Sequence, residues 1–480
     1  MKKSKMWMLG ILLGGFCLEV SAQEAWLSFG GKVTDQAGKG IAGVVVNDGV
    51  HFTKTDAQGV WRLQTDTARS KFVSISTLAA YELPQEDGLA DGFYVSVRAL
   101  ALAGGHHDFR LEKRRQVSDS FYYIPVSDPQ VRNAREMKRW RQETVPDMVE
   151  VIDSLKQARE VVGMTLGDLV FDNMTLFDEY KTSLKHTGAT FFQCIGNHDF
   201  DKRYQDLHNM AVGTPVYGEM VYGRYFGPTD YSFNIGRAHI VTMKSLNYVG
   251  GKQYLESMTG EQIAWLEKDL SYVPEGSLVI LNMHAAGWNR VGEDGNIRNA
   301  AQLREVLKGY HVHVFCGHTH FFQNVEVDST LYQHNIGAAC GAWWAGWVNQ
   351  CGAPNGYMVV DVDGDQLKWH YKATRRDFSY QFRLYNKGEF RSQHPFVVAN
   401  IWDWDNACRV VWYQDGKPMG DMEQFTDADE ERASQLKDRN KAVKTAHLFR
   451  ALPADGARQV KVELTNRFGE VYTQTIVLSR

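Results

Sequence analysis

Five short apolar runs in this chain each end in residues of a type that binds metal ions. In chain order these residues are Asp128-Pro129-Gln130, Gly167-Asp168, Gly196-Asn197-His198-Asp199, His284 and Gly317-His318-Thr319-His320. Carboxylate, amide and imidazole groups form the nitrogen and oxygen donor set that Mn, Fe and Zn accept. In layered α/β folds, ligands bind at the carboxyl ends of the strands. If the five runs are strands of such a fold, the sequence predicts one metal-binding pocket.

The order of the motifs carries more weight than any single motif. A Gly-Asp or Asp-Pro step alone is an ordinary turn. Two histidines separated by one residue and preceded by glycine, as in Gly317 to His320, are better suited to metal binding. The complete series therefore predicts the metal site.

The elements that must position these residues alternate between strand and helix. Residues 147–161 carry apolar side chains at helical spacing, and Thr259 with Gln262 predicts a capping box at the start of another helix. Strand-like apolar runs occupy residues 121–126, 163–166, 190–195, 238–243, 278–283 and 312–316. This alternation predicts an α/β layer architecture for residues 117–376.

Both flanks of this segment have a β pattern. Residues 23–116 alternate short strands with Gly and Asp turns, which predicts a small β-sandwich; it resembles transthyretin-like or carboxypeptidase-regulatory modules. Residues 377–480 predict a second all-β domain, with a charged helical insert at 427–436. The fold class predicted is thus multidomain α/β, with a central domain between two β-sandwich domains.

The N-terminus has the pattern of an export signal. Lys2, Lys3 and Lys5 precede an apolar run that is too short to span a bilayer. Val20-Ser21-Ala22 then fits a cleavage site. We therefore expect residues 1–22 to be a signal peptide, the mature protein to be periplasmic or secreted, and no transmembrane span to remain. Export permits disulfides, and Cys340 with Cys351 is the best candidate pair.

Composition limits the classes of partner. Hydrophobic residues make up 44% of the chain, as in ordinary globular proteins. The net charge is -4, and no basic run is present to bind a phosphate backbone. We therefore expect no nucleic-acid partner, and a nuclease is the least favoured enzyme class.

In the order and content of its motifs, the segment from about residue 119 to 375 resembles the calcineurin-like metallophosphoesterase family. The resemblance implies two metal ions at the strand ends of a two-sheet β-sandwich flanked by helices. Its implied ligands are Asp128, Asp168 and His320 for the first ion and Asp168, Asn197, His284 and His318 for the second. The family's first motif usually reads Asp-x-His, whereas this chain has Gln130 in the histidine position. Gln130 either binds the first ion or hydrogen-bonds a bound water, and Mn, Fe and Zn, divalent or trivalent, all remain compatible.

The implied chemistry is hydrolysis of a phosphate ester. Two cations about 3.5–4 Å apart make a bridging hydroxide available near neutral pH and neutralise phosphoryl oxygens. His198 directly follows a ligand, so we expect it to face the substrate and assist the leaving group. We expect Asp199 to orient His198, as carboxylates commonly do for imidazoles.

The substrate side is less constrained. A Gly-rich segment, 337–356, contains Trp343, Trp344 and Trp347, which either stack on a flat leaving group or anchor an interface with the C-terminal domain. Arg203 is the leading candidate to clamp phosphate, with Arg290 and Arg298 as further candidates. The substrate class is a small phosphorylated molecule, including those with a sugar or nucleotide, and the choice between mono- and diester stays open.

An alternative function keeps the metal site without strong catalysis. The two β domains and the tryptophan-rich segment also fit a carbohydrate- or cell-surface-binding protein with a retained metal site. Metal content distinguishes the two, because an enzyme of this type needs its ions.

Overall fold

The computed structural model describes residues 26–202, 215–250, 253–288 and 296–478. The predicted signal peptide, Arg203 and Arg290 lie outside the described residues. Within the described parts of the chain, the search for a helix with the length and apolar character needed to cross a membrane finds none.

The N-terminal segment forms two small sheets with strand orders β4-β1-β9 and β3-β2-β5-β8. Its strands are β1 Trp26–Thr34, β2 Val45–Asn47, β3 Phe52–Lys54, β4 Val60–Asp66, β5 Phe72–Ser76, β6 Gln85–Glu86, β7 Leu89–Ala90, β8 Tyr94–Ser96 and β9 Phe109–Arg110, with helix α1 at Val97–Leu102. Buried and exposed side chains alternate along β4, as expected for a strand with one face on a core. That core includes Trp61, Val73 and Phe109.

The short hairpin of β6 and β7 departs from the predicted two-sheet domain. These strands do not belong to either N-terminal sheet but extend the large central sheet. Leu89 of β7 pairs in parallel with Phe191 of the central domain. The N-terminal segment is therefore joined to the central domain by backbone pairing as well as by side-chain packing.

Two large sheets form the centre of the molecule, with orders β22-β21-β10-β11-β12-β7-β6 and β13-β14-β17-β18-β20-β19. Their remaining strands are β10 Ser120–Val126, β11 Val161–Leu166, β12 Thr190–Cys194, β13 Tyr231–Ile235, β14 Ala238–Thr242, β17 Leu278–Asn282, β18 His311–Cys316, β19 Gln323–Glu326, β20 Leu331–Asn335, β21 Gly356–Asp363 and β22 Gln366–Ala373. Strands β10, β11 and β12 run parallel, and so do β17 and β18. Tyr123 of one sheet and Phe315 of the other pack at 5.4 Å between ring centroids, so an apolar layer fills the space between the sheets.

Helices cover the outer faces of this pair of sheets. They are α2 Ala134–Arg139, which continues through a π-helical turn at Trp140–Thr144 into α3 Val145–Leu155, followed by α4 Phe177–Leu184, α5 Pro215–Phe226, α6 Gly260–Leu270 and α7 Ala300–Leu307, with a 3-10 turn at Met174–Leu176. The helix predicted over residues 147–161 is confirmed by α3 as far as Leu155, but Val161 already begins β11. The capping box is also confirmed, because Thr259 and Gln262 make both reciprocal bonds at the start of α6. A separate hairpin, β15 Leu246–Gly250 with β16 Gln253–Glu256, completes the domain.

The C-terminal segment forms two four-stranded sheets, β23-β24-β28-β27 and β26-β25-β29-β30. The strands are β23 Arg383–Tyr385, β24 Val397–Asn400, β25 Arg409–Gln414, β26 Lys417–Asp421, β27 Glu423–Ala428, β28 Lys444–Ala451, β29 Gln459–Thr465 and β30 Val471–Val477, with α8 at Glu430–Ser434 and 3-10 turns at Arg391–Gln393 and Arg439–Lys441. Val397, Trp412 and Val462 belong to one shared core. The predicted fold class, a central two-sheet domain flanked by N- and C-terminal β domains, is confirmed.

One covalent prediction is wrong. Cys340 and Cys351 are both free thiols. Cys351 Sγ accepts a hydrogen bond from the backbone N–H of Phe322 at 3.2 Å, whereas Cys340 Sγ lies 3.6 Å from His320 Nδ1. The two sulfurs therefore have different neighbours, although only a short loop separates them in sequence.

Candidate metal centre

The predicted ligands all lie at one edge of the central sheets. Each follows the carboxyl end of a strand, since Asp128 comes after β10, Asp168 after β11, Asn197 after β12, His284 after β17, and His318 with His320 after β18. All are buried except His318, which is partly exposed. Parallel strands bring their carboxyl ends to the same side of a sheet, and here two sheets contribute to one pocket.

The backbone at this edge adopts conformations that side chains usually avoid. Asp128, Asp168, His318 and His320 have φ values of 50°, 52°, 70° and 51°. Left-handed backbone at residues other than glycine costs about 1–3 kcal/mol each and clusters at functional sites. The strain is consistent with a pocket shaped for its ligands.

The glycines of the motifs are required by close packing. A Cβ atom on Gly317 would overlap Ser127 Oγ, and one on Gly196 would overlap the backbone nitrogen of Asp168. A Cβ on Gly167 would lie 2.5 Å from His284 Nδ1. Each motif glycine therefore lets the strand ends approach closely enough for the side chains to meet.

One carboxylate oxygen of Asp128 accepts hydrogen bonds, and the other has no hydrogen-bond partner among the described residues. Its Oδ2 accepts hydrogen bonds from the Ser127 hydroxyl and from the backbone N–H of His318. Its Oδ1 is buried without a hydrogen bond among the described residues, and it lies 3.4 Å from His320 Nε2 and 4.0 Å from His284 Nε2. A buried carboxylate oxygen without a donor fits a bound cation.

Asp168 lies beside His284 and His318 in the pocket. Its Oδ1 accepts from the backbone N–H of His198 at 2.8 Å and lies 3.3 Å from His284 Nε2. The donor atoms of Asp168, His284 and His318 all lie within 4.8 Å of one another. Asn197 joins them, with its Oδ1 at 3.2 Å from His284 Nε2. This group has the size and donor types of a metal-binding cluster.

Backbone carbonyls set the orientation of two histidines. Nδ1 of His284 donates to the Leu166 carbonyl at 2.7 Å, and Nδ1 of His320 donates to the Gly341 carbonyl at 2.5 Å. A histidine that donates from one ring nitrogen presents the other as a metal ligand. Both Nε2 atoms therefore face the pocket in the form that binds metal.

Electrostatics in the pocket favour positive charge. Burial lowers the pKa of His284, but Asp168 and Asp128 outweigh burial and raise that pKa to about 9. Burial raises the pKa of Asp168, yet the facing His284 and His198 shift it below its usual value. The carboxylates are thus held ionised in a buried site, where a cation is strongly stabilised.

Gln130 is buried in the same pocket. Its Nε2 donates to Asp168 Oδ2 at 2.7 Å, and its Oε1 lies 3.7 Å from Cys340 Sγ. In this arrangement Gln130 orients the carboxylate that the two ions would share. Direct binding of an ion by Gln130 stays a prediction.

His198 faces the mouth of the pocket with an unexpected partner. Its Nδ1 lies 3.0 Å from Asp172 Oδ1, and its ring stacks on Phe171 at 3.8 Å between centroids. Lys202 also bonds Asp172. Burial raises the pKa of Asp172, but the hydrogen bonds from His198 and Lys202 outweigh it and lower the pKa.

The predicted contact between Asp199 and His198 is wrong. Asp199 accepts from the backbone N–H groups of Gly196 and Val170 at 2.8 and 3.1 Å, and it is fully buried. The chain turns tightly here, because the Asp199 N–H bonds the Gly196 carbonyl, so adjacent side chains point in opposite directions. Burial and the nearby Asp168 raise the pKa of Asp199 to about 8. Asp199 holds the loop, and Asp172 orients His198.

The three tryptophans of the Gly-rich segment all contact the central domain, and the predicted stacking on a leaving group stays a prediction. Trp343 is 37% exposed, and its ring centroid lies 4.8 Å from that of His320. Trp344 is buried and donates to the Pro129 carbonyl at 3.0 Å. Trp347 is exposed, and the Arg139 guanidinium lies over the Trp344 and Trp347 rings at 4.8 and 4.4 Å. Trp343 therefore borders the pocket, whereas Trp344 forms part of its wall.

The same segment contacts the C-terminal domain further along. Arg432 donates to the Gln350 side chain at 2.9 Å, and Asn400 donates to the Cys351 carbonyl at 2.9 Å. The segment is thus both a border of the pocket and an interdomain contact.

Four residues near the pocket escaped the sequence analysis, namely Phe171, Asp172, Lys202 and Glu256. Asp172 follows Asp168 by only four residues, so the sequence places its carboxylate near the site if the loop after Asp168 folds back. Glu256 Oε1 lies 3.4 Å from His318 Nε2. The local sequence of β16 contains no motif that predicts this contact. Arg298, by contrast, is exposed, and its backbone N–H donates to the Glu256 carbonyl.

Three family models match consecutive parts of the chain. They are described as N terminal of Calcineurin-like phosphoesterase, matching residues 27–114, Calcineurin-like phosphoesterase, matching residues 126–322, and C terminal of Calcineurin-like phosphoesterase, matching residues 333–472. Together they account for most of the sequence. This chain belongs to the calcineurin-like phosphoesterase family and is a metal-dependent phosphoesterase.

Several solved structures match the chain at low identity and low TM-score. A dimetal phosphatase from Danio rerio is 11% identical over 53% of this chain and 96% of its own, with a TM-score of 0.37. A purple acid phosphatase from yellow lupin is 12% identical over 69% and 67%, with a TM-score of 0.36, and a 5'-nucleotidase from Candida albicans is 10% identical over 53% and 51%, with a TM-score of 0.33. At these values the likenesses carry no argument about substrate. No curated protein matches the chain.

Proposed function

We propose that this protein hydrolyses phosphate esters at a centre of two metal ions. The proposed ligands are Asp128, Asp168 and His320 for one ion and Asp168, Asn197, His284 and His318 for the other. One observation carries the proposal: buried donor atoms from five strand ends face one another, and Asp128 Oδ1 has no hydrogen bond among the described residues. Donors in such a pocket need a cation to offset their burial.

When bound, two such ions activate water near neutral pH and neutralise the phosphoryl oxygens. The chain contributes fixed positions for the donors. Asp168 accepts from the His198 backbone and from the Gln130 amide, so its carboxylate cannot turn away from the pocket. Asn197 adds a neutral oxygen, which leaves the site able to accept an anionic substrate.

His198 is proposed to donate a proton to the leaving oxygen. Asp172 engages its Nδ1 and Phe171 supports its ring, which leaves Nε2 to face the substrate. Asp172, which lies beside Nδ1, fixes the ring so that Nε2 is the nitrogen that meets the leaving oxygen. This arrangement supports general acid catalysis by His198.

The proposed substrate is a small phosphorylated molecule. Trp343 offers an exposed ring beside His320, which suits a flat or sugar-containing leaving group. We further propose that the enzyme acts in the periplasm or outside the cell, because residues 1–22 have the composition of a cleaved signal. Mass analysis of the mature protein is expected to place its first residue at Gln23, and a retained Met1 would contradict export by this signal.

Metal analysis with turnover tests the function. The purified protein is stripped with a chelator and reloaded with Mn, Fe or Zn, and hydrolysis of an aryl phosphate is compared with that of a bis-aryl phosphate. We expect about two equivalents of metal and turnover that returns only with metal. Less than about one equivalent, or bound metal with no turnover of either ester, would favour the alternative of a carbohydrate- or cell-surface-binding protein.

A further inference from the structure

Glu256 approaches the pocket from outside the five strand ends. It is the last residue of β16, on the hairpin with β15. Its side chain is 28% exposed, and its Oε1 lies 3.4 Å from His318 Nε2. The same hairpin contacts His318 through Tyr254, whose ring meets the His318 ring edge to face at 5.9 Å between centroids.

The direction of this contact is informative. A carboxylate only accepts hydrogen bonds, so Nε2 of His318 is the donor, and hydrogen bonds favour a nearly straight donor geometry. A histidine that donates from one ring nitrogen presents the other as a metal ligand, as His284 and His320 do. The bond to Glu256 therefore leaves His318 Nδ1 as the nitrogen that binds the ion.

The backbone holds Glu256 in this place. Glu256 pairs with Leu246 at the anchored end of the hairpin, away from its tip. The Glu256 carbonyl accepts from the Arg298 N–H at 2.8 Å, and the Asn247 amide donates to the Ser257 carbonyl at 2.6 Å. The backbone that carries Glu256 is thus held in place by the hydrogen bonds of the hairpin.

The charges of the two proposed ligand sets are unequal. The first ion would have Asp128 as a carboxylate of its own, whereas the second would share Asp168 and otherwise have only the neutral groups of Asn197, His284 and His318. A carboxylate that accepts a hydrogen bond from His318 makes this imidazole a stronger donor to the second ion. We propose that Glu256 is a positioning residue that orients His318 towards its ion, an inference that rests on the two-ion centre proposed above.

The test measures metal binding and not only turnover. Metal-free full-length protein is titrated with Mn²⁺ by calorimetry and equilibrium dialysis, for the native sequence, Glu256→Gln and Glu256→Asp. We expect two ions on the native protein and a loss of about 10–100-fold in the affinity of one ion in Glu256→Gln, the range seen when a partner of a metal site is removed. Glu256→Asp keeps the charge and is expected to lose less.

Glu261→Gln is the matched control, since Glu261 is exposed and pairs with Arg69 at the surface. It is expected to bind both ions as the native protein does. Thermal unfolding of each metal-free variant checks the fold, and the Mn²⁺-induced rise in Tm reports binding independently of calorimetry. Native affinities for both ions in Glu256→Gln would overturn the role of Glu256. Fewer than two ions on the native protein would instead overturn the two-ion centre.

Discussion

Two pairs of histidines in the central domain differ in their neighbours and, as a result, in their charge. His284 and His320 lie at the carboxyl edge of the sheets and face Asp128. His313 and His334 lie between the sheets, where their rings stack at 5.3 Å and His334 meets the Trp369 ring at 4.5 Å. His334 is as deeply buried as His284, and His313 is half-buried, but among the described residues no carboxylate faces His334.

The pKa values follow the neighbours. Burial and then Arg467 lower the pKa of His313 to about 3, whereas carboxylates raise that of His284 to about 9 despite burial. His313 Nδ1 and His334 Nε2 lie 3.0 Å apart, and His334 Nδ1 lies 3.0 Å from Asn324 Oδ1. Neutral imidazoles satisfy this chain of bonds. Burial of a histidine therefore does not make a metal site, and the facing carboxylates distinguish the two groups.

Removing the shared carboxylate should have the largest effect. Asp168→Asn removes charge from both proposed ions, which supply several kcal/mol of stabilisation to the reaction. We expect metal content to fall below about one equivalent and turnover of aryl phosphate to fall below detection. The matched change between the sheets, His334→Gln, is expected to leave metal content and turnover unchanged. A fully loaded, active Asp168→Asn protein would contradict the comparison.

His198→Ala is the next largest change. Because His198 is proposed to transfer a proton without holding an ion, kcat should fall by about 10²–10⁴-fold with metal content intact. Asp172→Asn should lower kcat by about 10–100-fold, as expected for a partner that orients an imidazole. Steady-state kinetics with parallel metal analysis measures both. If His198→Ala turned over at the native rate, the proton-transfer role would be excluded.

Backbone crowding distinguishes the carboxyl edge from the opposite end of the same strands. Gly317→Ala would force Ser127 and Asp128 apart, and overpacking of this kind costs about 1–3 kcal/mol. Gly309, before β18, has a φ of 91° and no atom within 4 Å of an added Cβ, so Gly309→Ala carries backbone strain alone. Urea unfolding should show a loss for both variants, and Mn²⁺ titration should show weaker binding only for Gly317→Ala. Equal metal affinities would contradict a role for Gly317 in shaping the pocket.

The smallest effect concerns pH. Burial lowers the pKa of His334 in the folded state, so the unfolded chain binds more protons as the pH falls below about 6.5. The stability contributed by neutral His334 is thus full above that pH and is lost below it, at about 1.4 kcal/mol per pH unit. We expect the difference in unfolding free energy between the native protein and His334→Gln to shrink from pH 7.5 to pH 5. Asp403, whose pKa burial raises to about 7, opposes this trend in both proteins and cancels in the difference. A difference independent of pH would show that His334 takes up no extra proton on unfolding.

The strands that lead to the metal-binding motifs were predictable because they are apolar. The run predicted at 121–126 is the strand Ser120–Val126, and that at 278–283 is Leu278–Asn282. By contrast, Gln323–Glu326 and Leu331–Asn335 were missed. Their polar residues are buried through hydrogen bonds such as that between His334 and Asn324, and a hydrophobic pattern does not detect strands of this kind.

The candidate site follows the same rule. The metal-binding residues that follow strands were predicted from the sequence, because the direction of a strand determines where the residues after it lie. Asp172 and Glu256 reach the pocket from a loop and a hairpin, whose course depends on tertiary packing. The exchange of Asp199 for Asp172 beside His198 has a similar cause, since a tight turn at Gly196 decides which of two adjacent side chains faces outward.

The pairing of β7 with β12 affects how the central domain would behave if it were separated from the N-terminal segment. An open sheet edge exposes unpaired backbone groups and invites association with other chains. In this molecule β6 and β7 cover that edge of the seven-stranded sheet, next to the apolar pair Phe191 and Phe192. A central domain without the N-terminal segment would expose the unpaired backbone groups of β12 at the edge of the sheet. We therefore expect the isolated central domain to associate with itself more readily than the full chain does.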